Sequence, residues 1–139
     1  MEKFKLKINE IVPMMWTGWR ENLKLCEIKE TPHYHFLKGD KTEYNAYAGP
    51  GKTDRGHNEK IFSELVVSMS KQTNDELVKN ISFVVAYWSE IERYVLLDGL
   101  HRMSILVSRG VTEINAHTEP NGWKRVTPQI VCNLQEFKK

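Results

Sequence analysis

The chain is poor in the features that mark several common classes of protein. Its 139 residues include two cysteines, Cys26 and Cys132, each standing singly with no metal-type spacing around it. That argues against a disulfide scaffold or a zinc module and suits two small buried hydrophobes in a reducing cytoplasm. No apolar run approaches the roughly 20 residues that a membrane span requires. The opening Met1-Glu2-Lys3-Phe4-Lys5-Leu6-Lys7 alternates charged and apolar residues, unlike a signal peptide. Charge of one sign is also scarce: 20 Lys+Arg against 18 Asp+Glu leave a net charge of +2. Lys124-Arg125 and Lys138-Lys139 are the only adjacent basic pairs. Duplex binding asks for a concentrated basic face, so nucleic acid is not expected as the main partner.

What is present is an ordinary folding chain. Hydrophobic residues make up 40% and charged residues 27%, with no internal repeat, low-complexity tract or linker. This predicts one domain over residues 1–139 with a real core. Residues 3–8 and 22–29 alternate in the strand sense. Between them Pro13 to Trp19 reads as an apolar, aromatic connector, and Pro32 breaks the second strand because it has no ladder donor. A short helix is expected over Thr42 to Tyr47, inside a polar, turn-rich segment running from Gly39 to Gly56.

Ile61, Phe62, Leu65, Val66 and Met69 fall at helical spacing, with Asn58 or His57 near the start, and residues 74–79 suit another helical turn. The β-branched and aromatic run Ile81 to Trp88 predicts a central strand, reversed by Ser89 to Glu92 into a strand at Arg93 to Leu97. Two closing strands are expected at Val111–His117 and Val126–Leu134. The sum is an α+β domain with a small mixed sheet and a few packed helices.

The most informative stretch is Tyr94 to Gly110. An apolar run ends in Asp98-Gly99, His101-Arg102 follow at once, and an apolar stretch closes on Gly110. Asp-Gly is a strong hairpin signal, and residues 101, 103, 105 and 107 could alternate along a strand. Leu100, Met103 and Leu106 or Val107 also suit one helix face, and Ser108-Arg109-Gly110 is a good helix ending. The helix is preferred. Its unpaired first-turn N–H groups, flanked by two basic side chains, would make a compact phosphate site.

Asp98-Gly99-Leu100-His101-Arg102, after an apolar strand and before a short helix, resembles the Gly-x-His-Arg or Gly-x-Arg-Arg box of the ParB/sulfiredoxin-like superfamily. The similarity extends over roughly residues 22–118: a helix, a hairpin, the box, its helix and a closing strand. The Asp-Gly-x-His-Arg form is most similar to a branch of free-serine kinases. The longer pattern, with Thr31-Pro32-His33-Tyr34 and His57-Asn58, is similar to ParB-like domains associated with bacterial surface-polysaccharide synthesis. The resemblance implies a ParB/sulfiredoxin-like single domain and a nucleotide-dependent phosphotransferase acting on a hydroxyl of a small molecule or saccharide, with ATP or another nucleotide and Mg²⁺. Leu100 stands where sulfiredoxin carries Cys, which argues against sulfinic-acid reduction. No room remains after residue 118 for the helix-turn-helix of partitioning proteins. A non-catalytic nucleotide-binding module and a ParB-like DNA-binding or nuclease domain are the alternatives.

Each residue of the candidate site carries two readings. The backbone from Gly99 through Leu100, His101, Arg102 and Met103 would hold nucleotide phosphates, with Arg102 gripping two oxygens at once; otherwise Arg102 is a surface arginine. His101 would donate to phosphate or take the acceptor's proton, or else is a core histidine bonded to a carbonyl. Asp98 beside phosphate would be repelled by about 4 kcal/mol at 4 Å and an effective dielectric of 20. It therefore caps the helix, holds Mg²⁺ or faces the acceptor hydroxyl as base. The kinase branch uses a glutamate ahead of the first long helix, and Glu30 is the nearest match, with Glu27 second. Glu30, His33, Tyr34 and His35 cluster where the second strand is expected to break, near the box. Glu30 is then a base candidate or a solvated strand end, and His33 and Tyr34 are candidate acceptor contacts. His57 and Asn58 are acceptor contacts or a helix cap. His33 and His35 alternate as strand neighbours would, but no further ligands complete a metal site.

Overall fold

The computed structural model describes residues 2–13, 15–17, 22–24, 26–48, 58–120, 122 and 131–132. The chain opens with β1 (Phe4–Lys7), a 3-10 turn (Ile8–Glu10), β2 (Ile11–Pro13), β3 (Met15–Thr17) and β4 (Asn22–Lys24). The supposed connector thus holds β3 and the last residue of β2. Pro13 is tolerated in β2 because that strand lies at a sheet edge, paired among the described residues only with β6 (Arg93–Leu96). The expected strand over 22–29 is corrected as well: β4 stops at Lys24 and a 3-10 turn covers Ile28–Glu30.

Thr31-Pro32 does not merely break a strand; it starts a helix. α1 runs Pro32–Leu37, with proline at its first position and the Thr31 hydroxyl accepting the Tyr34 N–H at 3.1 Å. A proline ring fixes φ near the helical value, and its missing N–H is one that a first turn leaves unpaired anyway. α2 (Thr42–Ala48) and α3 (Glu59–Ser70) follow, and Asn58 caps α3 by accepting the Ile61 N–H at 2.9 Å. α4 (Asn74–Asn80) is capped by Thr73, whose hydroxyl accepts the Glu76 N–H.

β5 (Ser82–Trp88) turns into β6, then α5 (Leu100–Ser108) and β7 (Glu113–His117), and Val131–Cys132 forms β8. The remainder of the strand expected at 126–134 lies outside the described residues. Five strands make one mixed sheet in the order β1-β7-β5-β6-β2, with β5 central. β5–β7 and β6–β2 are parallel pairs; β1–β7 and β5–β6 are antiparallel. β3, β4 and β8 form a second sheet. Among the described residues, no helix is long and apolar enough to cross a membrane.

The large sheet must curl. Its edges β1 and β2 are separated in sequence by three residues only. From Lys7 to Ile11 the chain can reach at most about 14 Å, whereas five flat strands would hold their edges about 19 Å apart. The rings of Phe4 on β1 and Tyr94 on β6 accordingly meet, 5.6 Å between centroids, although two strands lie between theirs in the sheet.

Alternation along β5 divides the interior. Phe83 and Val85 join Leu96, Ile114 and Ala116 in the main core beneath the helices. Ala86 and Trp88 join Val12, Val95 and Leu97 in a second buried cluster. α5 contributes Met103, Ile105, Leu106 and Val107 to the main core. Removing any of these large side chains would cost about 2–5 kcal/mol, apart from smaller losses at valine. The helix that carries the box is therefore fixed on the sheet by its own apolar side chains.

Candidate functional site

Helix, not hairpin, follows Asp98-Gly99. Leu97 donates its N–H to Val84 O at 2.9 Å, ending the β6 ladder, and Gly99 sits at φ 91°, ψ 24° as the residue that opens α5. Met103 N–H closes the first turn on Gly99 O at 2.9 Å. Glycine is required twice at this point. A positive φ is strained for any residue with a Cβ, and a Cβ there would lie 3.1 Å from Phe83 Cδ1. Because glycine has no side chain, the first turn of α5 carries no side-chain cap. Asp98 does not supply one either: its Oδ1 accepts the Gly99 N–H at 2.9 Å, one residue before the helical amides. The carboxyl is exposed.

Arg102 and His101 leave the helix start in different directions, as successive helical positions must. Arg102 is exposed, its guanidinium carbon 5.9 Å from the Phe83 ring centroid and one guanidinium nitrogen 3.5 Å from the point where a Gly99 Cβ would stand. A planar cation thus overhangs the glycine turn. His101 enters an aromatic cluster instead. Its Nε2 shares a hydrogen bond of 2.8 Å with Tyr44 Oη. Its ring lies edge-on to His33 at 4.4 Å and to Phe62 at 4.8 Å. Tyr44 and His33 are almost fully buried, at 0% and 1% exposure, and Phe36 stacks on Phe62. Of the two readings of His101, a core histidine is the nearer, hydrogen-bonded to a tyrosine hydroxyl.

The sequence-predicted acceptor residues separate. His33 is brought to His101 by α1, while Tyr34 lies on the same helix with Lys38 Nζ 5.3 Å from its ring. His33 and His35 are helical rather than strand neighbours, and His35 turns away to Glu43, 3.5 Å off. Asn58 spends its side-chain oxygen on the α3 cap. His57 lies outside the described residues. Glu30 is not beside the box. Its Oε1 accepts the Glu27 N–H at 2.7 Å, and it lines a cavity together with Val107 and Gly110. Val107 lies in the last turn of α5, about 12 Å along the helix from Gly99 at 1.5 Å per residue, and Gly110 lies just past its end. Glu27 is committed as well, to the Arg93 guanidinium at 2.6 and 2.8 Å. The expectation that this segment stands at the box fails for Glu30 because the chain turns helical at Ile28, not at the end of a strand.

Tyr44, Phe62 and Phe83 are the site's supports that the sequence did not reveal as such. Phe62 and Phe83 were legible only as core, and Tyr44 only as part of a short helix. Among the described residues, no group of three or more His, Cys, Asp or Glu is placed to hold a metal ion. Asp98 alone could contribute to a Mg²⁺ site, which suits a cation that keeps several waters and takes its other ligands from phosphate. Electrostatics around α3 is local. The Lys41 ammonium and the Asn45 amide bond the Glu59 carboxylate and hold its pKa below the ordinary value. No family model, curated protein or solved structure matches the chain.

Proposed function

We propose that this chain is a nucleotide-dependent phosphotransferase of ParB/sulfiredoxin-like type, acting on a hydroxyl of a small molecule or saccharide. The observation that carries the reading is the start of α5: a left-handed glycine, a first turn without a side-chain cap, and the Arg102 guanidinium overhanging both. Amide dipoles and a fork of N–H donors favour a phosphate there over any neutral ligand. Such transfer depends mainly on positioning and charge neutralisation, so few groups suffice.

In this scheme the N–H groups of Leu100, His101 and Arg102, with the Arg102 side chain, orient the donor phosphates. The acceptor oxygen attacks the terminal phosphorus, the bond to the bridging oxygen breaks, and the nucleoside diphosphate leaves. Asp98 keeps one carboxylate oxygen for either of two tasks: receiving the acceptor's proton, or ligating Mg²⁺. Bound there, Mg²⁺ would neutralise phosphate charge. Tyr44 fixes the His101 imidazole at the inner wall.

The test is calorimetric titration with ATP and Mg²⁺, paired with γ-labelled ATP and a panel of hydroxyl acceptors. Arg102→Ala should weaken nucleotide binding tenfold or more, since a hydrogen bond to a charged group contributes about 1.5–3 kcal/mol. Failure of the unaltered protein to bind any nucleotide would overturn the reading. A binding module without turnover is the second reading, favoured by the engagement of Glu30 and Glu27 elsewhere. Saturable ATP binding with no transfer or hydrolysis would select it.

A further inference from the structure

We propose that Asp98-Gly99 is a self-modification site, where the Gly99 nitrogen closes on the Asp98 carboxyl to a succinimide that reopens as isoaspartate. The proposal stands independently of the phosphotransferase reading. Ring closure is favoured by a side chain folded onto the next amide, a following residue without a Cβ, a backbone outside regular structure, and access for water. Asp98 Oδ1 accepts the N–H of Gly99, its own chain neighbour, at 2.9 Å. The carboxyl carbon, one bond of about 1.2 Å from that oxygen, is then at most about 4.1 Å from the nitrogen it would join. Residue 99 is a glycine at φ 91°, so no Cβ crowds the forming ring. Asp98 lies in a bend between β6 and α5 and is exposed.

The reaction draws on no reagent besides water. The Gly99 nitrogen forms a bond to Asp98 Cγ, and the amide hydrogen leaves with the carboxylic hydroxyl as one water molecule. Water then reopens the ring. Attack at Cγ restores aspartate; attack at the main-chain carbonyl of residue 98 leaves the backbone running through Cβ and Cγ, with the α-carboxyl free. The isomer keeps its mass but gains one carbon in the main chain. The surrounding fold has little slack to absorb it. On one side the Leu97 N–H is bonded to Val84 O, and on the other the Met103 N–H is bonded to Gly99 O, each at 2.9 Å. The Phe83 ring and the Arg102 guanidinium stand 3.1 and 3.5 Å from the point a Gly99 Cβ would occupy. An extra methylene between these fixed points displaces the first turn of α5, which presents the amides of Leu100, His101 and Arg102.

The experiment ages the full ¹⁵N-labelled chain for weeks at physiological temperature and pH, then follows the tryptic peptide Tyr94–Arg102 by mass spectrometry. A second form of this peptide should appear at unchanged mass and shifted retention, with the backbone fragments of isoaspartate, preceded by a form lighter by one water. The folded chain should accumulate it at least as fast as the free peptide Tyr94–Arg102, because the fold holds the reacting groups together. Asp98→Glu, whose ring would be one atom larger, should slow isomerisation by about tenfold or more. Asp98→Asn, which expels ammonia in place of water, should speed ring closure. Asp98 is exposed, so both variants should fold. Separated from the unmodified chain, the isoaspartyl form should show moved amide signals at Leu100, His101 and Arg102. No nucleotide enters the assay, so its outcome is separate from that of the nucleotide titration. Absence of isoaspartate at residue 98 overturns the proposal, as does slower isomerisation in the folded chain than in the free peptide, isomerisation undiminished in Asp98→Glu, or an isoaspartyl form with those amides unmoved.

Discussion

Replacing Gly99 with alanine attacks the box through two separable effects. The first is backbone strain: at φ 91° a Cβ-bearing residue pays about 1–2 kcal/mol relative to glycine. The second is overlap, because the new methyl would sit 3.1 and 3.2 Å from Phe83 Cδ1 and Cε1. Phe83 is 1% exposed and cannot move outward freely; overpacking of this kind costs about 1–3 kcal/mol. The expected loss for Gly99→Ala is therefore about 2–5 kcal/mol, read from urea unfolding monitored by tryptophan fluorescence with an unchanged m-value. The two effects part in a double-mutant cycle. Phe83→Leu opens space beside residue 99, so in that background Gly99→Ala should retain the strain cost and lose most of the overlap cost. A loss under about 0.5 kcal/mol for Gly99→Ala alone would refute both the left-handed assignment and the close approach of Phe83. A loss identical in the two backgrounds would refute the second only.

Arg109→Ala should cost about 1–3 kcal/mol, because the Arg109 guanidinium donates to Met69 O at 2.9 Å and Gln72 O at 2.7 Å and leaves both carbonyls at the end of α3 without it; hydrogen exchange at the end of α3 should rise with it. Ser104 is completely buried and its hydroxyl has no hydrogen-bond partner among the described residues, so Ser104→Ala should raise stability by about 1 kcal/mol, seen as a higher urea midpoint. Glu76 is held below the ordinary value of 4.5 chiefly by accepting the Thr73 N–H, and Glu59 chiefly by its bond to Lys41. Both folded-state values are depressed, so their stabilisation is present above 4.5 and fades as pH falls through the lower folded values. Glu76→Gln, which keeps an acceptor without the titration, should flatten part of that acid decline in a thermal-midpoint profile.

Much of the fold was legible where local chemistry and tertiary position agree. The run Ile81 to Trp88 is β-branched and aromatic, and it occupies the centre of the sheet. Asn58 and the spacing of Ile61 to Met69 defined α3, and both the cap and the buried Phe62 and Met69 follow. Asp98-Gly99 was ambiguous for a physical reason: a hairpin and a helix start can both use glycine at positive φ. What separates them is burial. Met103 to Val107 are buried at five successive positions, which a helix wedged between sheet and helices permits and a strand with one solvated face does not. α1 was missed because Thr31-Pro32 signals an interruption and a helix start alike, and the six residues that follow are too few for a periodic pattern. β2 and β3 were missed because three-residue strands carry no alternation to read, and the parallel pairing of β2 with β6 is purely long-range.

The site was legible in its motif and illegible in its supports. Tyr44 meets His101 across 57 residues of sequence, and nothing local to either residue announces the pair. The same long-range contacts explain why five residues do not make the box by themselves. α5 has nine residues, fewer than the roughly 12–15 at which an isolated helix becomes even marginal in water. It is held at both ends by α3 and its neighbours: Phe62 packs on His101 at the start, and Arg109 reaches the Met69 and Gln72 carbonyls at the finish. Asn74 adds a bond from its side chain to Arg109 O at 3.2 Å. The overhang of Arg102 above Gly99 is thus a property of the α3–α5 pair seated on β5, and altering either end of α3 should shift the box without touching any residue in it.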